Sequence, residues 1–367
     1  MNKNINNLTL TRLNNLRTIV DYLSQVKSLI NNNFEEKLYE KLINKRKLSK
    51  SIRKKSTNGI VEITGFIIPS DVIISSNKKI PIHLSTVSNP AISVENNKAF
   101  LYLRVSSTGS PFSRTFIAFS ETRINDLTGR VYVRGIPLIY GLLPNESIED
   151  PRVDPDNPLD VYHVRCFYSD RPASVITFRS RIGGNEIKEI EPVYFYSNEL
   201  GDFLLKDYRD TFPLNNDFMT IRPFLKHRQI GFMIIAPRDR ARVYIDEAYL
   251  PEPLLLSNDE VKIGGNASLK ISSNEYLLLY HVVDQHGIYY TYGALFDTSG
   301  ELIALTDNPI IVPKLGVYSG RRQSTVFVCG AAKVGDEIII TAGRDDEIVI
   351  IYKLSEEKLW SNLRFIS

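Results

Sequence analysis

Past residue 56 the chain shows no helical period. It breaks instead into short runs rich in β-branched and aromatic residues, at 60–68, 100–105, 115–119, 161–167, 174–178, 231–236, 276–283, 289–296, 325–329, 337–341 and 348–354. Gly, Pro, Asn and Asp separate them. Runs of this length and composition read as strands, so residues 56–367 are expected to form an all-β body. Polar groups stand at or near the first strand of each cluster: Asn89, Asp150, Arg209, Asn266, and then the strand at Phe327. The intervals are 61, 59, 57 and 61 residues. A near-constant step of this size predicts one four-stranded unit per step and five units in all, a five-bladed β-propeller without WD or kelch signatures. A β-sandwich pair is the competing architecture. In a propeller the innermost strands converge on one channel, so polar groups far apart in sequence meet there. A channel lined by a carboxylate, cations and amides suits an oxygen-rich ligand such as a sugar or a phosphate.

Ahead of the body, Leu10, Leu13, Leu16, Val20, Leu23, Val26 and Ile30 recur every three or four residues, which predicts a helix with one apolar stripe. A second helix is expected over 34–48, burying Leu38, Leu42 and Ile43. Residues 1–55 carry 13 Lys/Arg against 4 Asp/Glu, so a basic helical extension precedes a mildly acidic body over 56–367. Lys45, Arg46, Lys47, Lys50, Arg53, Lys54 and Lys55 form either a contact for a polyanion or a solvated linker. The absence of interleaved aromatic residues argues against nucleic acid. The stripe is expected to pack on the body or to serve a homo-oligomer. No apolar run is long enough to span a membrane, and the polar N-terminus has no signal-peptide core, so a cytoplasmic protein is expected. Cys166 and Cys329 have no zinc or disulfide spacing, and His163 and His227 lack partners at metal spacing, so no metal cofactor is expected.

The stretch Ile148-Glu149-Asp150-Pro151-Arg152 places two carboxylates and an arginine at a proline-fixed bend between strand-like runs. It reads either as a surface turn or as the seat of a general acid. His281 reads as a core histidine or a ligand-holding one. Arg238, Arg240 and Arg242 read as a solvated hairpin with ion pairs of small effect. Gly264-Gly265 is a weak phosphate-loop signal, with no helix after it. Tyr289, Tyr290 and Tyr292 alternate near a possible sugar-stacking mouth.

Five segments, in order, carry a resemblance. They are Asn89-Pro90-Ala91 before residues 100–105; residues 148–152; Phe212-Pro213 with Ile221-Arg222-Pro223; Lys262-Ile263-Gly264-Gly265-Asn266 with residues 277–281; and residues 326–331 with Ala342-Gly343-Arg344-Asp345. Together, over roughly residues 60–355, they resemble glycoside hydrolase family 130, mannoside phosphorylases built as five-bladed β-propellers. The resemblance implies a β-mannoside phosphorylase that inverts configuration and yields mannose 1-phosphate, with inorganic phosphate as co-substrate and no other cofactor. It assigns Asp150 as proton donor. It places Arg209, Arg222, Lys262 and His281 around phosphate, and Asn89, Arg104 and Asp345 along the sugar. The chain departs from the family pattern in a shorter turn after Arg209 and in lacking a glycine after His281. A β-mannosyltransferase using a nucleotide sugar, a β-mannosidase and a non-catalytic sugar-binding propeller are the alternatives.

Overall fold

The computed structural model describes residues 9–11, 16–44, 53–56, 58–75, 83–107, 115–314 and 322–366. These residues are mostly β, as expected. Five antiparallel four-stranded meanders follow one another along the described chain. The first runs through Thr86–Glu95, Lys98–Ser106, Thr115–Arg123 and Val133–Ile139, with Val72–Ile74 added at its edge. The second comprises Glu146–Val153, Asp160–Phe167, Ser174–Gly183 and Glu186–Pro192. The third comprises Tyr208–Pro213, Phe218–Leu225, Ile234–Asp239 and Arg242–Tyr244. The fourth comprises Glu260–Lys270, Glu275–Asp284, Tyr289–Asp297 and Leu302–Thr306. The fifth comprises Val326–Val334, Glu337–Arg344 and Ile348–Ser355, and its last place is taken by Glu62–Ile67 from before the first meander. The first strands of the five lie side by side in order, and that of the fifth lies against that of the first.

Local chemistry explains the meanders. Glu95 pairs with Lys98 across Asn96 and Asn97, both at positive φ (48° and 61°). This is the two-residue turn that matches strand twist, and asparagine tolerates it better than most residues. Between neighbouring meanders lie apolar layers. Ile67, Val87, Leu101, Leu103, Ala118, Ile339 and Val349 fill the one between the fifth and the first.

The N-terminal segment packs on this body. The helix Leu16–Lys27 buries Ile19, Tyr22, Leu23 and Val26, whereas Leu16 and Val20 of the expected stripe face outward. The apolar stripe is therefore rotated from the sequence reading, with Ile19 and Tyr22 taking the inner positions. Ile30–Asn31 pairs in parallel with the strand Gly201–Leu205. The second helix is shorter than expected, Phe34–Tyr39 with a wider turn over Glu40–Asn44; Phe34 packs on Phe203 and Tyr39 on Phe232 at ring separations of 4.5 and 5.6 Å. These side chains join the core that runs through the second, third and fourth meanders, each contributing about 2 kcal/mol by burial. The cationic run at 45–50 lies outside the described residues. Arg53 is no solvated linker residue: it is buried in an ion pair with Glu260. A helix absent from the sequence reading, Glu356–Asn362, follows the fifth meander, with Ser355 capping the Lys358 N–H and two acids in its first turn. No described helix is long and apolar enough to cross a membrane.

Candidate active site

Each meander's first strand carries an irregularity at the same level. Its register against the second strand slips at Asn89-Pro90, at Asp150-Pro151, at Asp210-Thr211, at Asn266 and at Cys329. Proline cannot donate to the ladder, so the first two slips fall where pairing is already broken. Asn89, Asp150 and Asp210 adopt positive φ (47°, 49° and 46°), a region Asn and Asp enter at least cost among residues with a side chain. Bulges re-aim side chains. Here they bring groups some 60 residues apart together at the middle of the ring.

A cavity of about 360 Å³ opens there. It is lined by Asn89, Arg104, Asp150, Arg209, Arg222, Lys262 and His281, seven of the eight residues singled out from the sequence. The eighth, Asp345, does not line it. Its buried carboxylate accepts the Thr325 N–H at 3.2 Å and faces Arg344 at 3.5 Å, while the next residue, Asp346, reaches the cavity. Both aspartates sit in a left-handed turn (φ 55° and 57°), where a shift of one residue reverses which side chain points inward. Glu149, Phe224, Tyr289, Arg322, Thr325 and Phe327 complete the wall.

One side of the cavity is built around the acid. Asp150 Oδ1 accepts from Asn89 Nδ2 at 2.7 Å and from Arg104 Nη1 at 3.0 Å. Arg104 also faces Glu149 at 3.2 Å and Asp346 at 3.8 Å. Burial opposes the Arg104 charge, but Glu149, Asp150 and Asp346 outweigh it and hold the guanidinium protonated. Asn89 needs Gly343 behind it, because a Cβ there would stand 1.7 Å from Asn89 Oδ1.

The other side is cationic. Arg209 stands 3.5 Å from Asp207 and 3.8 Å from Glu149. Arg222 Nε donates to Asp210, and Lys262 lies 5.4 Å over the Phe224 ring. Arg322 stacks on Tyr289 at 5.3 Å. Burial, together with Arg222, Arg322 and Arg209, pushes the Lys262 ammonium down to about 8. Burial, with Arg222, Arg152 and Lys262, pushes His281 down to about 3 against the pull of Asp210, so the imidazole is neutral. Its Nδ1 lies 2.6 Å from Asn266 Oδ1, and its ring stacks on Tyr289 at 5.5 Å. In all, Arg104, Arg209, Arg222, Lys262 and Arg322 line the cavity with Glu149, Asp150 and Asp346, an excess of positive charge that suits an anion.

Beneath the site, Arg152 ties three first strands together. It donates to the Asp150 carbonyl at 2.9 Å, the Asp210 carboxylate at 2.6 Å and the Asn266 carbonyl at 2.8 Å, between the rings of Phe212 and Phe327. Burial would raise the Asp210 carboxyl, but Arg222 and Arg152 hold it below the ordinary carboxylate range. The glycines at 264 and 265 serve clearance and not a phosphate loop: a Cβ on Gly264 would meet Arg222 Cδ at 2.5 Å and His281 Cε1 at 2.9 Å.

Other sequence readings resolve differently. Arg238 is no solvated hairpin residue. It is buried against Asp154 at 3.1 Å and donates to Asn215 O and Tyr162 Oη. Tyr289 lines the cavity, whereas Tyr292 turns its hydroxyl to the Lys54 carbonyl and Tyr290 borders a separate, more apolar groove. His163 bonds Ser180 and His227 faces Glu36. No metal-binding group of side chains exists among the described residues, and both cysteines are buried and free.

Comparison with known proteins places this arrangement. Residues 244–364 match the model of glycoside hydrolase family 130, described as beta-1,4-mannooligosaccharide phosphorylase. No curated protein sequence matches. Among solved structures, the fold is similar to that of a β-1,2-mannobiose phosphorylase from Listeria innocua in complex with β-1,2-mannobiose (TM-score 0.59, 16% identity, 83% of this chain and 97% of that one). It is also similar to a structure described under the heading that the family of mannoside phosphorylases contains glycoside hydrolases targeting β-1,2 mannosidic linkages in Candida mannan (TM-score 0.53, 14% identity, 83% and 97%). A hypothetical protein from Leishmania major (TM-score 0.50, 14% identity) covers 94% of this chain and 98% of its own. The resemblance to glycoside hydrolase family 130 holds, by sequence over residues 244–364 and by fold over most of the chain.

Proposed function

We propose that this chain is an inverting β-mannoside phosphorylase whose five meanders are the blades of a β-propeller. The observation that carries the reading is the division of one cavity into a side built around Asp150 and a side built from Arg209, Arg222, Lys262 and neutral His281. Phosphate docks on the cationic side, where guanidinium forks bind its oxygens bidentately. A phosphate oxygen attacks the anomeric carbon as the glycosidic C–O bond breaks on the opposite face. Asp150 supplies the proton to the departing oxygen, directly or through a sugar hydroxyl. A single displacement inverts configuration, so a β-mannoside gives α-mannose 1-phosphate. Asn89 and Arg104 orient the carboxyl and the sugar, with Asp346 in the place the sequence assigned to Asp345. The substrates are a mannose-containing oligosaccharide and inorganic phosphate, and no other cofactor enters. Such chemistry suits the cytoplasmic setting expected from the sequence.

Hydrolysis is the second reading. Glu149 lines the same cavity 3.8 Å from Arg209, and a carboxylate there is a candidate base for water. Incubation with mannose 1-phosphate and β-mannoside acceptors separates the two. Phosphorylase activity releases phosphate and lengthens the acceptor, and Asp150→Asn abolishes both. Absence of phosphate release with every acceptor, together with mannose liberation from β-mannobiose in phosphate-free buffer, overturns the first reading.

A further inference from the structure

The N-terminal segment contacts the chain leading into the cavity's cationic side at two separate points. At the first, Glu35 of the helix Phe34–Tyr39 is buried, and its Oε1 accepts the Lys206 N–H at 2.7 Å and the Asp207 N–H at 3.4 Å. These amides open the third meander. The Asp207 carboxylate then stands 3.5 Å from Arg209 Nε and 3.4 Å from Lys226. At the second, Arg53 is buried with Glu260, donating to its carboxylate from Nε at 3.1 Å and from Nη2 at 2.5 Å, and it also donates to the carbonyls of Pro253 (2.9 Å) and Leu255 (2.7 Å). Glu260 begins the strand that carries Lys262, and Tyr280, whose hydroxyl Arg53 electrostatically faces, precedes His281. Lys54 N–H donates to the Asp307 carbonyl at 2.8 Å, and its own carbonyl accepts from Tyr292. Lys55 pairs with Asp259.

We infer that residues 30–44 and 53–55 brace the anion-holding side of the cavity, with Glu35 setting Arg209 through Asp207 and Arg53 setting Lys262 through Glu260. Glu35 and Arg53 are positioning residues; neither lines the cavity. Of the cations described at 53–55, Arg53 and Lys55 serve attachment to the body, paired with Glu260, Asp259 and Asp284. Among the described residues, the Asp150 carboxylate is held by Asn89 and Arg104 and its carbonyl by Arg152, all of them outside the segment. The brace rests on the proposed phosphate site for its functional meaning, but its geometric effect is measurable without phosphate.

The test uses the full chain with Glu35→Ala, Arg53→Ala and the conservative Glu35→Gln, which keeps an oxygen for the two amides. Two readouts are taken. The first is the KM for inorganic phosphate against that for a β-mannoside, with kcat. The second is the pH midpoint at which an amine-reactive reagent labels Lys262, read by peptide mass spectrometry on enzyme confirmed folded by its melting transition. The brace predicts a phosphate KM raised about tenfold or more in both alanine variants, a mannoside KM within twofold, and rescue by Glu35→Gln. It also predicts that in Arg53→Ala the Lys262 midpoint moves up from about 8 toward that of an ordinary lysine, because the ammonium leaves its cationic neighbours. Should Arg53→Ala fail to fold, Arg53→Lys is read in its place, with the same shifts expected at smaller size. A lowered melting temperature with phosphate KM and labelling midpoint unchanged overturns the brace and leaves a merely structural segment. If the wild-type chain proves not to use phosphate, the phosphorylase reading fails separately. The Lys262 midpoint then decides the brace alone, its shift supporting it and its constancy overturning it.

Discussion

Gly264→Ala puts the proposed phosphate site under a defined strain. Gly264 lies in an extended strand at ordinary φ, so alanine costs nothing in backbone conformation. The added methyl would stand 2.5 Å from Arg222 Cδ, 2.9 Å from Asp210 Oδ2 and 2.9 Å from His281 Cε1. Carbon atoms settle at roughly 3.5–4.0 Å, so the Arg222 stem must retreat by about 1 Å or the strand must shift. Overpacking of this kind costs about 1–3 kcal/mol of stability. A displacement of about 1 Å in a positioning group costs on the order of 100-fold in rate. Arg222 is held by Asp210, which Arg152 also clamps, so the guanidinium has no easy alternative seat. The expected outcome is a melting temperature lowered by several degrees and kcat/KM for phosphate down by about 10- to 100-fold, with mannoside KM changed little. Initial rates at varied phosphate and fixed saturating mannoside, with a melting curve, measure it. A folded Gly264→Ala enzyme with phosphate kinetics within twofold of wild type would refute the placing of Arg222 and His281 at the anion.

Further outcomes follow from the same geometry. Asp150→Asn keeps the hydrogen bond from Arg104 but carries no acid proton, so kcat falls by about 10²- to 10⁴-fold with little change in either KM, measured by initial rates. Burial and the neighbouring guanidinium groups push Lys262 down to about 8; its charge is present below that value and lost above it, so phosphate KM is expected to rise with pH above about 8, approaching tenfold per unit. Lys262→Met removes that limb of the profile and leaves KM high at every pH. Arg238→Ala strands the buried Asp154 carboxylate, lowering stability by about 3–5 kcal/mol in urea unfolding while leaving both KM values unchanged.

Much of the site was legible before the structure because the chain repeats itself. Asn89, Asp150 and Asn266 mark bulges in the first strands of the first, second and fourth meanders, so they stand one and two meander lengths apart. Arg209 stands one residue before the third bulge, at Asp210, and the fifth falls at Cys329, so the spacing located the level of the site more sharply than the individual side chain. Asp345 illustrates the limit. In a left-handed turn neighbouring side chains diverge, and no periodicity tells which enters the cavity. Arg322 escaped notice because it precedes the fifth meander on a loop, where neither strand alternation nor helical period constrains a cation. Arg238 and Arg53 read as surface charges because their partners, Asp154 and Glu260, lie 84 and 207 residues away in sequence. Burial of such a pair depends on tertiary contacts that local composition does not encode. The helix Glu356–Asn362 was missed because one stretch of 7 residues is too short to display a period, although its capping serine and acidic first turn were present.

The central claim is that phosphate, not water, takes the mannosyl group. Phosphorus NMR of the enzyme with β-mannobiose and inorganic phosphate tests it directly. The account predicts growth of an α-mannose 1-phosphate resonance at the expense of phosphate, one equivalent for each mannose released as leaving sugar, and none with Asp150→Asn. Release of both sugars as free mannose at a rate independent of phosphate, with no phosphate ester formed, would contradict it.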